Sequence, residues 1–294
     1  MRPPYPVEIV PLLPRFLQRR RAKMTFPLRR MEELGLDRPA YFWVVNLSYR
    51  GPQGALVEPA DLDSVYGTIP DRWLPMAAAA RGAGLAEERG GRWYLTPKGA
   101  DLARRQRAAE REHYATLEPL PRDELSELAR LLDAAFQAAA NAKEPATRVR
   151  TPWAFVYRGE APPDGSFAQL DVAVSGLLWV RDDCHVAAWR GAGLTGPDLE
   201  VLTRVWRNEA TVANALAELL PHQRPADVIA ALSRLRADGR VEADALRATA
   251  GGATLRQRIE DETDRLFFEP WPDEVGRRAD WIVLKLSAVN AALA

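Results

Sequence analysis

Apolar residues recur at helical spacing through most of the chain, and short stretches rich in Pro and Gly separate the periodic segments. Residues 122–142 illustrate the spacing, because Leu125, Leu132 and Phe136 fall on one face of a predicted helix. Residues 167–193 predict either one long, mostly apolar helix or a broken pair. Further helices are predicted over residues 38–50, 58–67, 70–84, 97–117, 196–208, 211–221, 224–239 and 253–271, and in the tail after residue 272.

A pair of short strands is predicted between the helix at 70–84 and the helix that follows it. The stretch LAEERGGRWYL places Gly90 and Gly91 between two short runs, and a Gly-Gly pair permits the tight turn of a hairpin. Thr96 is then positioned to cap the helix that begins at Pro97. The predicted fold class is therefore mainly α with small β-hairpin wings (α+β), in the element order of a winged helix.

This set of helices and hairpin occurs twice, at an offset of 155 residues. Pro70 corresponds to Pro225 at a helix start, and Gly84 corresponds to Gly239 at a helix end. Residues 240–252 predict a second, shorter hairpin, after which the offset falls to 153. We expect two winged-helix modules joined by a helical connector. The predicted segments are a basic, Pro-rich arm (1–27), module 1 (28–119), the connector (120–194), module 2 (195–272) and a C-terminal helix (273–294).

Composition and charge add little to this picture. The chain contains 40 Lys or Arg and 40 Asp or Glu, so the net charge does not indicate a polyanionic partner. The arm is locally basic, and its run at Arg19, Arg20 and Arg21 either contacts phosphate or forms a solvated face. One cysteine, no signal peptide and no apolar run long enough for a membrane predict a cytoplasmic protein that does not bind membranes.

Module 1 resembles the winged-helix regulators of the MarR type. This resemblance rests on WLPMAAAARGAGLAEERGGRWYLTPKGADLARRQ and covers about residues 38–116. Residues 170–272 resemble an uncharacterised actinobacterial helix-turn-helix family through DDCHVAAWRGAGL, VIAALSRLRADGRVE and LRQRIEDETDRLFFEPW. The resemblance implies duplex DNA as the partner and transcription regulation as the function. The MarR type further implies a small aromatic effector.

The two predicted recognition helices hold few side chains that could read bases. Base edges are read by Arg, Lys, Asn, Gln, Ser and Thr, whereas PDRWLPMAAAARGAG offers four alanines and an internal Pro75. We therefore expect phosphate and wing contacts to dominate, with sequence discrimination that is modest and depends partly on DNA shape. The residues predicted to contact DNA are Arg72, Arg89, Arg92, Lys98, Arg224, Arg234 and Arg240.

Nine tryptophans are many for a chain of 294 residues, and they either fill the core or line an aromatic pocket. An effector pocket is expected between a winged domain and the connector, because small-molecule sites are common at domain junctions. The residues predicted to line this pocket are Trp43, Trp73, Trp153, Trp179 and Trp189. The internal repeat is compatible either with a monomer that has a pseudo-two-fold axis or with a homodimer.

No motif predicts a catalytic, cofactor or metal site. The chain lacks a nucleophile elbow, a phosphate loop and a dinucleotide fingerprint. Asp182, Asp183, Cys184 and His185 are consecutive, which would scatter their side chains around a helix, and a closed zinc site needs four ligands. We therefore expect neither an enzyme nor a cofactor.

Two alternatives to a DNA-binding regulator remain open. The alanine-rich first recognition helix suits packing, so the winged helices could bind a protein partner and no DNA. Some DNA-repair glycosylases also have a tandem winged-helix architecture, but they use a Gln-x-Gln motif that is absent here, where Gln169 and Gln223 are isolated.

Overall fold

The structure, a computed structural model, describes residues 5–22, 24–56, 66, 70–159, 162–210 and 212–294. It is mainly helical with a small sheet, which confirms the predicted fold class. The α-helices are α1 (Leu12–Arg19), α2 (Phe26–Leu34), α3 (Arg38–Leu47), α4 (Pro70–Gly82), α5 (Pro97–Tyr114), α6 (Arg122–Ala140), α7 (Thr151–Arg158), α8 (Phe167–Gly191), α9 (Gly196–Trp206), α10 (Ala213–Leu219), α11 (Pro225–Ala237), α12 (Ala250–Phe268), α13 (Asp273–Arg277) and α14 (Ala279–Ala292). The strands are β1 (Ala55–Leu56), β2 (Ala86–Arg89) and β3 (Arg92–Leu95), and short 3-10 helices cover Val7–Ile9 and Ser48–Gln53.

The chain divides into two compact units. Unit 1 consists of residues 1–55, 76–183 and 264–294, and unit 2 consists of residues 56–75 and 184–263. Residues 167–191 form the single helix α8, which settles the choice between one helix and a broken pair. The predicted helix at 58–67 lies, apart from Tyr66, outside the described residues. The organisation into five linear segments stays a prediction.

The predicted arm is largely helical and contributes to the core of unit 1. Its first 3-10 helix and α1 bury Ile9, Leu13 and Phe16 completely. The ring of Phe16 packs against that of Phe167, with a centroid distance of 5.4 Å. Pro11 directly precedes α1, where a missing backbone N–H costs no helical hydrogen bond. Prolines therefore do not keep this segment out of the folded core.

Arg20 is buried and Arg21 is half-buried, which neither interpretation of the basic run anticipated. Arg20 Nε lies 2.6 Å from Asp171 Oδ1, and Arg21 Nε lies 2.9 Å from Glu110 Oε1. Both Nε groups also donate to the hydroxyl of Tyr114, at 3.2 Å. Buried charges persist only when they are paired and hydrogen-bonded, and here each guanidinium faces a buried carboxylate. The paired arginines therefore tie the arm to α5 and α8.

The connector contains a helix, α7, that apolar periodicity does not predict. Its first N–H groups are satisfied by the buried carboxylate of Asp183. This carboxylate accepts hydrogen bonds from the backbone N–H of Val149 at 3.0 Å, of Arg150 at 3.0 Å and of Thr151 at 2.8 Å, and from the Thr151 hydroxyl at 2.8 Å. Because Asp183 lies far along the chain, Pro152 in the first turn is the local sequence signal for this helix start.

Unit 1 contains a tight backbone junction between α4, the hairpin and α5, which we call the first helix–wing corner (Gly84, Leu85, Thr96 and Gly99). Gly84 has a φ of 71°, a left-handed conformation that glycine adopts without strain. The Thr96 hydroxyl donates to Gly84 O at 2.7 Å and accepts from Gly99 N at 3.1 Å. A Cβ atom on Gly99 would lie 1.9 Å from Leu85 O, so this position requires glycine.

The second helix–wing corner (Gly239, Arg240, Thr249 and Gly252) lies in unit 2 and has the same contacts. Gly239 has a φ of 65°. The Thr249 hydroxyl donates to Gly239 O at 2.7 Å and accepts from Gly252 N at 3.0 Å. A Cβ atom on Gly252 would lie 2.0 Å from Arg240 O. The residues that correspond in the sequence offset therefore make corresponding hydrogen bonds.

The two wings differ in regularity. In the first, β2 and β3 pair antiparallel over four positions, from Ala86 opposite Leu95 to Arg89 opposite Arg92. In the second, the predicted hairpin is reduced to one antiparallel bridge between Val241 and Ala248. The second wing is two residues shorter, and it forms a compact loop in place of two strands.

Unit 2 has its own apolar core. Buried side chains of α9, α10, α11 and α12 pack into one cluster together with the last residues of α8. The N-terminus of α9 is closed by a capping box, in which the Thr195 hydroxyl accepts from Asp198 N and the Asp198 carboxylate accepts from Thr195 N. The inner face of α11 therefore packs with α9 in this core, and its outer face remains exposed.

We predict that Gly99→Ala and Gly252→Ala each lower the free energy of unfolding by at least about 2 kcal/mol, because the new methyl group overlaps a backbone carbonyl that cannot move alone. Gly251→Ala is the matched control, since a Cβ atom at that neighbouring position meets nothing closer than 3.5 Å. Urea denaturation of the three variants measures the difference. Equal stability of Gly252→Ala and Gly251→Ala would contradict the close approach.

We predict that Asp183→Ala destabilises the protein by about 3 kcal/mol, because it leaves several buried N–H groups without an acceptor. Asp182→Asn is the matched control. Burial raises the pKa of Asp182 to about 6, with Arg150 partly opposing this rise. The folded state therefore favours the protonated form of Asp182. The stability that protonated Asp182 contributes at low pH is lost as the pH rises through 6. At pH 7 we expect Asp182→Asn to be neutral or slightly stabilising, and a similar loss in both variants would refute the capping role.

Candidate nucleic-acid interface

The outer face of α11, the helix before the second corner, is exposed and carries few polar groups. Its inner face buries Val228, Leu232 and Leu235 in the core of unit 2. The Ser233 hydroxyl donates to Ile229 O at 3.0 Å, so its donor hydrogen is used within the helix. The exposed residues of α11 are Pro225, Ala226, Asp227, Ile229, Ala230, Ser233, Arg234 and Ala237.

The helix before the first corner, α4, has a similar outer surface, and its residues 70–75 belong to unit 2 while residues 76–82 belong to unit 1. Trp73, Ala77 and Ala80 are buried on its inner side. Pro75 lies inside the helix, as its sequence position predicts. The exposed residues after position 72 are Leu74, Pro75, Ala78, Ala79, Arg81 and Gly82. Both helices therefore present small apolar side chains where a base-reading helix carries donors and acceptors.

The first wing brings together three of the predicted DNA-contacting residues. Arg89 is exposed at the hairpin end, where its Nε lies 3.3 Å from Glu87 Oε1 and its guanidinium lies 4.4 Å from the centre of the Tyr94 ring. Arg92 faces Arg89 across the turn and is partly exposed. Lys98 is exposed at the start of α5, and its Nζ donates to Ala83 O at 2.8 Å. The side chain of Arg72 lies outside the described residues.

The three predicted residues of unit 2 have different environments. Arg224 is exposed at the N-cap of α11. Arg234 is held by Asp198, whose Oδ1 accepts from Arg234 Nε at 3.0 Å and from Nη2 at 2.7 Å. Arg240 belongs to the second helix–wing corner and is partly exposed. Arg224 is thus available for a phosphate, whereas most of the charge of Arg234 is balanced within the protein.

Of the five tryptophans predicted to line a pocket, three belong to unit 1 and two to unit 2. In unit 1, Trp43 is buried edge-on against Trp93, with centroids 5.7 Å apart, and Trp153 lies 3.3 Å from the guanidinium of Arg50. Trp179, also in unit 1, packs against Tyr49 and Tyr157. Trp73 and Trp189 are buried in unit 2. The tryptophan-lined effector pocket stays a prediction.

The Cys-His cluster is used for packing and hydrogen bonding in unit 2. Cys184 is buried, and His185 contacts the Thr263 hydroxyl through Nδ1 at 3.0 Å and the Tyr66 hydroxyl through Nε2 at 3.2 Å. His222 contacts the carboxylate of Glu200 through Nε2 at 2.7 Å. Across the described part of the chain, no group of three or more His, Cys, Asp or Glu side chains could hold a metal ion.

Sequence reasoning missed a cavity in unit 1 that is lined by α5, α7 and α8. Its polar residues are separated by many positions in the chain, so no motif marks it. A second, more open depression beside the first wing is lined in part by Arg89, Trp93 and Tyr94. No helix among the described residues is both long enough and apolar enough to cross a membrane.

Comparison with known proteins gives one match. A model of a helix-turn-helix family matches residues 91–294, which include the second corner, α10 and α11. No curated protein matches the chain, and no solved structure does so either. The family match supports a DNA partner at a coarse level. Because it covers more than half of the sequence, the chain belongs to this helix-turn-helix family.

Proposed function

We propose that the protein is a DNA-binding transcriptional regulator with two tandem winged-helix modules. The observation that carries this proposal is the exposed face of α11, with Arg224 at its N-cap and a helix–wing corner directly after it. This is the element order in which a winged helix places its third helix on DNA. The MarR-type character of module 1 belongs to the same proposal.

The recurrence of the corner supports a tandem repeat. Both corners combine a left-handed glycine, a threonine that bridges helix and wing, and a glycine whose Cβ would overlap a carbonyl. Independent origin of the same four-residue arrangement at matching sequence positions would need several coincidences. We infer that each corner positions one wing for contact with DNA.

The chemistry of the exposed residues favours phosphate contact over base reading. Arg89, Arg92 and Arg224 offer cations, whereas the outer faces of α4 and α11 are mostly apolar, with Arg81, Asp227, Arg234 and the bonded Ser233 as their polar residues. Methyl groups can contact thymine, but they discriminate weakly. A wing arginine can enter the minor groove and respond to its width. Affinity would therefore depend strongly on salt, and specificity would be modest.

A second candidate is a protein-interaction module that binds no DNA. It is favoured by exposed apolar side chains on α11 and on the segment around α10, since Ile229 is 51% exposed and Val212 is 59% exposed. Exposed apolar surface of this kind often marks a protein interface. We propose no catalytic activity for either candidate. A DNA-repair enzyme is the weakest candidate, because nothing in the described residues assembles a reacting site.

We predict that the protein binds a random-sequence duplex at low salt and loses affinity steeply as salt rises. In the double variant Arg89→Gln/Arg92→Gln, the slope of log Kd against log salt should fall by about one for each phosphate contact removed. The matched control is Arg15→Gln/Arg277→Gln, which removes two exposed arginines outside the wing. Fluorescence anisotropy measures both. No binding at low salt would refute the DNA proposal and favour the protein-interaction module.

We predict different effects for the substitution of Arg224, at the N-cap of α11, and of Arg234, within α11. Arg224→Gln should weaken duplex binding and leave the melting temperature unchanged, because Arg224 is exposed at the N-cap of α11 and could meet a phosphate. Arg234→Gln should lower stability by about 1 kcal/mol through loss of its bond to Asp198, with a smaller effect on DNA binding. Anisotropy and thermal denaturation of the two variants separate these outcomes. A larger loss of DNA affinity in Arg234→Gln would contradict this assignment.

A further inference from the structure

A cavity of about 340 Å³ lies in unit 1 between α5, α7 and the start of α8. This volume falls within the range of small-molecule sites, which begins at roughly 300 Å³. One part of its wall is apolar and consists of Pro162, Pro163, Ala168, Val172 and the rings of Tyr114 and Tyr157. The apolar part could cover the flat or branched body of an organic molecule.

The carboxylates in the cavity are already neutralised by the protein. Asp171 is paired with Arg20 and also accepts a hydrogen bond from the Tyr157 hydroxyl. Glu110 is paired with Arg21, and its Oε1 also accepts from the side-chain amide of Gln106 at 2.7 Å. These two groups therefore leave no uncompensated negative charge that would attract a cation.

The tyrosines of the wall are neutral donors at physiological pH. Burial, together with the nearby carboxylate of Asp171, raises the pKa of Tyr114 to about 12. Burial and Asp171 likewise raise the pKa of Tyr157 well above its usual value. Neither ring adds negative charge to the cavity.

Three further guanidinium groups line the cavity; Asp133 balances Arg158, so the excess of positive charge comes from Arg107 and Arg111. Arg158 donates to Asp133 at 2.8 Å, and Arg107 donates to the Ser48 hydroxyl, also at 2.8 Å. Arg111 is exposed at the wall, and no ion pair to it forms within the described ranges. Its five N–H donors are suited to a planar carboxylate.

We propose that this cavity binds a small organic anion whose carboxylate pairs with Arg111 and whose apolar body lies against Tyr114, Tyr157 and Val172. The excess of guanidinium groups selects a negative charge, and the apolar wall selects an organic acid over an inorganic ion. This site goes beyond the proposed DNA contact and does not depend on it. If the DNA proposal is correct, such an acid is the effector class that the regulator would sense.

Isothermal titration calorimetry without DNA tests the site, with 2-naphthoate as the anionic probe and 2-naphthamide as its neutral analogue. We expect naphthoate to bind at least about tenfold more tightly than naphthamide, the ratio that one charge-assisted contact typically provides. Arg111→Gln should remove this preference and leave naphthamide binding unchanged. The matched control is Arg104→Gln, an exposed arginine of the same helix that does not line the cavity.

Val172→Trp should abolish binding of both probes by filling the cavity, and its melting curve checks that the variant folds. Absence of naphthoate binding to the natural sequence would overturn the proposal. Equal binding of the two probes would do so as well, as would an Arg111→Gln variant that retains the preference for naphthoate. Arg111 is exposed, so we expect Arg111→Gln to fold. This variant therefore tests the site even if Val172→Trp does not fold. None of these outcomes depends on whether the protein binds DNA.

Discussion

The close backbone approach at the two helix–wing corners is the constraint on which the candidate interface depends. Glycine at position 99 lets α5 start against Leu85 O, and glycine at position 252 lets α12 start against Arg240 O. Threonine then joins the helix start to the preceding turn through its hydroxyl. With these contacts fixed, the first wing begins directly after α4 and the second begins directly after α11. In the first wing, Glu87, Glu88 and Arg89 are exposed, whereas Ala86 and Trp93 are buried.

Buried charge is the second organising feature of unit 1. Arg20 and Arg21 bring the arm onto Asp171 of α8 and Glu110 of α5, because burying either charge alone would be costly. The two carboxylates of these ion pairs, Glu110 and Asp171, also line the cavity of unit 1. Arg107 lines both that cavity and the depression beside the first wing. Arg107 would therefore contact both a bound acid and the depression that Arg89 lines.

Some of the positively charged side chains that are candidates for DNA contact already have acceptors within the protein. Arg234 and Lys98 each donate to a protein acceptor, and Arg89 has a carboxylate neighbour in Glu87. Only part of the local positive charge is thus available to phosphates. For the proposed DNA contact, this limited charge and the balanced composition of 40 basic and 40 acidic residues would favour reversible, salt-sensitive association over tight binding.

The sequence by itself determined most of the helices, though not α1, α2 or α7, together with the first hairpin and the start of α5 at Thr96, because periodicity, a Gly-Gly turn and a threonine cap are local signals. It also predicted the corresponding glycines and threonines of the two corners. Only the tertiary structure decided that Arg20 and Arg21 pair with buried carboxylates, that Asp183 caps α7 and that Arg111, Tyr157 and Val172 line one cavity. These contacts join residues far apart in the chain, and their free energy depends on burial, which no local pattern contains. The structure also reduced the second hairpin to one antiparallel bridge, between Val241 and Ala248.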